Sequence, residues 1–124
     1  MQQITEYAQK NLNLGALLYF SDHATIPDKR RSPNFDGFGS VRIPMFTYFS
    51  DEYIEKNNNI YQTLSKHQNY YFTNDLTYEL MCSIFNIQSN HFDETNSLAS
   101  PKYKYTRDML TTDLGNRFIK DDKC

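Results

Sequence analysis

The stretch that most constrains the fold is Leu14-Gly15-Ala16-Leu17-Leu18-Tyr19-Phe20, an unbroken apolar run that ends abruptly in Ser21-Asp22-His23. Bounded by turn signals, a run this short predicts a strand buried on both faces. It is far too short to span a bilayer. Ahead of it, Ile4, Tyr7, Ala8 and Leu12 recur at helical spacing, and Asn13 and Gly15 bracket the end of the pattern. That predicts a helix over 3–12. A helix followed by a buried strand is half of a βαβ unit, so the expected class is α/β.

The polar stretch 21–40 contains Pro27, Pro33, Gly37 and Gly39 and reads as a long loop, the kind that is functional or disordered in small domains. Val41 to Phe49 predicts a second strand, with Pro44 confined to its start or to an edge because proline cannot donate to a ladder. Ser50 is placed to cap a short helix through Lys56, with Asp51 and Glu52 in its positive first turn. Asn57-Asn58-Asn59 interrupts it, and a further short helix is expected over 60–66. Thr73 is placed to cap the strongest helix, with Asp75 near its start. Its stripe is Leu76, Leu80, Ile84 and Ile87, widened by Met81 and Phe85. Beyond Asn90 the pattern weakens to two short strand candidates, Tyr103-Lys104-Tyr105 and Arg117-Phe118-Ile119.

At 124 residues the chain fits one domain, 1–124, with a modest core. Its net charge of −2 carries no electrostatic footprint for nucleic acid or an anionic membrane. Mean hydropathy is −0.73, yet aromatics reach 15%, too many for a disordered segment. The start, Met1 to Glu6, has neither a basic n-region nor an apolar h-region, so no signal peptide is expected. Cys82 lies in an apolar helical pattern and reads as a small buried hydrophobe, while Cys124 is the last residue; no disulfide framework is expected.

Chemistry concentrates at Asp22 and His23. In open α/β sheets ligands bind beyond the carboxyl ends of strands, and this pair sits at such an end, at the mouth of the long loop. A carboxylate and an imidazole suit Zn²⁺ or Mn²⁺. Taken alone, an adjacent Asp-His pair is weak, and the plainer reading has Asp22 capping a turn and His23 as an ordinary loop residue.

The apolar strand running into Ser21-Asp22-His23 resembles the Ser-Asp-His-Gly motif of the alkaline phosphatase/sulfatase superfamily. Val41-Arg42-Ile43-Pro44-Met45-Phe46 resembles the strand that follows in that family. Phe72-Thr73-Asn74-Asp75-Leu76 and the apolar helix after it resemble its next helix, and Ser97-Leu98 a short segment beyond. Order and spacing agree over roughly 14–100. Within the superfamily the resemblance is nearest to phosphoethanolamine transferases, ahead of phosphoglycerol transferases and sulfatases. It implies a partial alkaline phosphatase-like sheet with flanking helices, the C-terminal part of the fold. Asp22 and His23 become two of about four ligands to a divalent metal, most readily zinc, with manganese the alternative. The implied reaction is attack of a metal-activated Thr on phosphatidylethanolamine, followed by transfer of phosphoethanolamine to lipid A or another surface glycan. Donor phospholipid and acceptor glycolipid are thus the implied partners, and the periplasmic face of the inner membrane the implied location.

Departures from the pattern matter. The Gly after the His is Ala24 here, and the acidic residue that often follows is Thr25. No His occurs in 24–66, where the family often supplies another. No catalytic residue is assigned within this chain, because the nucleophilic Thr and the remaining carboxylates are expected upstream. Inactivity of the chain alone, or a non-catalytic domain that kept the fold, follows as an expectation. Arg30 and Arg31 could bind an acceptor phosphate, although a solvated loop pair is the plainer description. His67 and His91 read as surface histidines, and Asn69-Tyr70-Tyr71-Phe72 as core. The apolar strand, lacking upstream neighbours, points to self-association.

Overall fold

The computed structural model describes residues 2–24, 38, 41–112 and 115–122. Helix α1 (Gln2–Leu12) leads into strand β1 (Ala16–Tyr19), and β2 (Phe46–Phe49) leads into α2 (Asp51–Lys56) and α3 (Asn58–Lys66). A single 3₁₀ turn, Asn74–Leu76, opens α4 (Thr77–Ile84). The chain finishes with a 3₁₀ turn at Glu94–Asn96, a short hairpin of β3 (Thr111–Thr112) and β4 (Arg117–Phe118), and a last 3₁₀ turn, Ile119–Asp121. The result mixes helices with two small two-stranded sheets.

The strand expected to be buried on both faces is instead four residues long and half-buried throughout. It pairs antiparallel with β2, Ala16 opposite Phe49 and Tyr19 opposite Phe46, so among the described residues no βαβ crossover forms. The expectation failed because both faces of the ribbon are apolar. Ala16, Leu18 and Phe49 pack against the core. On the other face Tyr19 stacks on Phe46, with centroids 4.9 Å apart, as an aromatic pair directly opposite in a ladder should. A run apolar on both faces reads the same whether it lies inside a large sheet or in a two-stranded ribbon. β2 is also shorter than the expected 41–49: it begins only after Pro44 and Met45.

Ser50 caps α2 as expected, its hydroxyl accepting from the Tyr53 N–H at 3.1 Å. The Asn57–Asn59 break is a single residue, Asn57, because α3 already begins at Asn58. Thr73 does not cap the next helix. Its hydroxyl is buried without a partner among the described residues, and the chain enters α4 through the 3₁₀ turn. α4 stops at Asn86, which takes φ 51°, a left-handed conformation asparagine tolerates better than most residues. The Ile87 N–H then reaches back to the Cys82 carbonyl at 2.9 Å, closing the helix end. Ile87, Met81 and Phe85 therefore fall outside the buried stripe and are exposed.

The core is Leu80, Ile84, Leu98 and Ala99, packed by Leu18, Phe49, Tyr53, Leu64, Phe72 and Tyr103 among others. Segment 97–100 runs through it: Ser97 is fully buried and its hydroxyl pairs with Ser83 at 2.6 Å. Tyr53 donates to the Ile84 carbonyl at 2.6 Å, satisfying one of the orphan acceptors at the end of α4. Burial pushes the Tyr53 phenol up from its ordinary value. Tyr103-Lys104-Tyr105 forms no strand. Tyr103 packs on the core and donates to the Tyr71 carbonyl at 2.7 Å, and burial drives its phenol well above the usual tyrosine range. Of the last strand candidate, Arg117 and Phe118 pair as β4 while Ile119 starts a 3₁₀ turn. Cys82 is buried as expected; Cys124 lies outside the described residues. On α1, only Ala8 is buried, and Ile4, Tyr7 and Leu12 are exposed.

Candidate functional site

β1 ends at Tyr19, and two residues later the backbone turns at Ser21-Asp22-His23. The turn is built by its own side chains. The Asp22 carboxylate accepts the His23 N–H at 3.0 Å, and the Ser21 hydroxyl donates to the His23 carbonyl at 2.8 Å. A third bond comes from far along the sequence. Asn74, at the head of the 3₁₀ turn before α4, donates its side-chain N–H to the Ser21 carbonyl at 2.9 Å and leans towards that of Asp22 at 3.4 Å. The end of β1 and the start of α4 thus meet at this turn.

His23 Nδ1 lies 3.1 Å from the Ala24 carbonyl. A carbonyl only accepts, so Nδ1 carries the proton and, in the neutral ring, Nε2 presents its lone pair outward. Metal-ligating histidines are commonly oriented in this way, by a second ring bond to a carbonyl. Nε2 stands 3.7 Å from Asp22 Oδ2. Two ligands on one tetrahedral zinc, each at ~2.0–2.1 Å, are separated by roughly 3.3 Å, so these two atoms fit one ion with a small closure. The Asp22 side chain is 87% exposed and that of His23, partly buried, 36%. No cluster of three or more His, Cys, Asp or Glu occurs among the described residues. Asp22 also caps the turn: Oδ1 holds the His23 N–H, while Oδ2 is the oxygen nearer His23 Nε2.

Arg30 and Arg31 lie outside the described residues. His91 is exposed, as expected. His67 is not a surface histidine: it is buried, stacks on Tyr70 with centroids 4.2 Å apart, and donates from Nδ1 to the Leu98 carbonyl at 2.8 Å. Its immediate neighbours Lys66, Gln68 and Asn69 are polar, and the carbonyl it bonds stands 31 residues away, so the residues beside it gave no sign of its burial. Tyr70 and Tyr71, expected in the core, are exposed, and only Phe72 packs inward. Arg107 lies over the Tyr71 ring.

A cleft of about 300 Å³ opens at the other end of the ribbon, between Gly15, Ser50, Tyr53 and Asn57. Beside it Lys56 pairs with Glu52 at 2.6 Å; the ammonium holds the Glu52 carboxyl below its usual value. No helix among the described residues is long and apolar enough to cross a membrane. No family model, curated protein or solved structure matches the chain.

Proposed function

We propose that this chain is the C-terminal portion of a phosphoethanolamine transferase of the alkaline phosphatase/sulfatase superfamily. Asp22 and His23 would furnish two ligands of its divalent metal centre, most readily zinc. The observation that supports the reading most is the meeting of motif and geometry. An apolar strand ends in Ser-Asp-His, and Asp22 Oδ2 and His23 Nε2 lie 3.7 Å apart on an exposed and a partly exposed side chain. A bound zinc or manganese ion would supply Lewis acidity for an alkoxide nucleophile and for the charge growing on phosphorus. The chain's own residues would hold and orient: Oδ2 and Nε2 as donors, Oδ1 and the Ala24 carbonyl fixing their direction. The nucleophilic Thr and the remaining ligands belong, on this reading, to a preceding part of a longer protein whose catalytic face is periplasmic. Phosphatidylethanolamine would be the donor and a lipid A or other glycan phosphate the acceptor, with Arg30 and Arg31 suited to the acceptor's charge.

Zinc titrated calorimetrically into the chain should bind weakly and be lost with either Asp22→Ala or His23→Ala. In the longer protein, Asp22→Ala should abolish phosphoethanolamine on the host's lipid A by mass spectrometry. Zinc binding untouched by both substitutions would sink the metal assignment, and an unchanged lipid would sink the transferase.

A second reading, a stand-alone non-catalytic domain that kept the fold, is favoured by one observation. Leu80, Ile84 and Ser97 are fully buried within this chain alone. The DNA preceding Met1 discriminates. An in-frame extension with a Thr-bearing strand belongs to the first reading, a start codon with its own ribosome site to the second.

A further inference from the structure

The Asp22–His23 turn lies on the surface, yet it is tied to the core by one side chain. Asn74 opens the 3₁₀ turn whose third residue, Leu76, is buried, and α4 follows directly with Leu80 and Ile84 in the centre of the core. From that anchored position its amide reaches back 53 residues to the Ser21 carbonyl at 2.9 Å, and to the Asp22 carbonyl at 3.4 Å. Two successive carbonyls turned towards one amide fix the peptide planes on either side of Asp22. Those planes determine where the Asp22 Cβ points and where His23 begins. The turn's remaining bonds, from Ser21 and Asp22 themselves, are local and would travel with the turn if it rotated.

We propose that Asn74 is a positioning residue for the Asp22–His23 pair: its amide sets the turn so that Oδ2 and Nε2 converge on one cation. The proposal rests on the metal reading above and assigns the pair a support on a separate element. Outer contacts that orient ligands command about 10–100-fold in metal affinity, and Asn74 would act through carbonyl orientation without touching the ion.

The test uses the whole chain and needs no turnover. Asn74→Leu keeps the shape of the side chain and removes its donor without adding charge, and Asn74→Ala removes the side chain. In the metal-free chain, nitrogen chemical shifts of the His23 ring report which nitrogen is protonated. The wild type should show the Nδ1–H form, and both variants should drift towards a mixture of tautomers. Zinc affinity should fall about tenfold or more, with the thermal midpoint close to that of the wild type. Variants retaining both the wild-type ring shifts and the wild-type zinc affinity would overturn the proposal. Should either variant fold poorly, the wild type still decides. Nuclear Overhauser contacts from the Asn74 side-chain amide to the Asp22 and His23 backbone protons are required, and their absence overturns the idea. A wild type that binds no zinc would remove the metal reading, while the ring shifts would still show whether Asn74 orients His23.

Discussion

Two regions of the molecule use the same device to opposite ends. At the core, His67 donates to the Leu98 carbonyl and fixes a buried segment to α3's end. At the surface, Asn74 donates to the Ser21 carbonyl and fixes a turn to α4's start. Both are side-chain donors on a backbone acceptor far away in sequence. Around His67 the neighbours are Tyr70, Tyr103 and the buried run 97–100, and the acceptor is enclosed. Around Asn74 the bond leaves the Asp22 carboxylate facing water. A long-range hydrogen bond can therefore enclose its acceptor or leave the neighbouring carboxylate reachable, and the bond itself does not reveal which.

The comparison can be broken first at the core. Leu80 is fully buried, so Leu80→Ala should cost about 2–5 kcal/mol. Urea denaturation reads it directly, and a loss under ~1 kcal/mol would mean the core is not centred on α4. An intermediate effect is expected at high pH. Burial raises the phenols of Tyr103 and Tyr53 above their ordinary value. Their contribution is therefore whole below the unfolded tyrosine pKa of about 10 and is lost as pH rises through the folded values. Stability should fall as pH rises above ~10, and the Tyr103→Phe chain should lose less over the same interval. Equal slopes for the two would remove Tyr103 from the core side of the comparison. The smallest effect belongs to the site. Asp22→Ala should cost no more than about 1 kcal/mol, the worth of one exposed turn bond. A thermal melt showing a loss as large as that of Leu80→Ala would make Asp22 scaffold.

What the sequence made legible was local. The Ser50 cap lies three residues from the N–H it accepts, and the helical stripe of α4 needs only its own period. The strand character of 16–19 was legible too, but not its partner, because apolar residues on both faces hide which sheet they join. At the site, Asp22 and His23 stood out by residue type at a strand end. Asn74 did not: it is one of many asparagines, and its bond to the Ser21 carbonyl exists only where two distant segments meet. His67 was misjudged for the same reason, since polar sequence neighbours say nothing about a partner 31 residues on.

The ribbon also carries a consequence for the order of assembly. α2, α3 and the start of α4 draw on bonds between residues a few positions apart. Pairing β1 with β2 must close a loop over the whole of 20–45. Loop-closure entropy sets that step behind local helix formation, because the chain's freedom is surrendered before any ladder bond compensates it. The Asp22–His23 turn hangs from the far end of that ribbon and leans on α4. It is thus expected among the last parts to be built during folding, on a helical framework already in place.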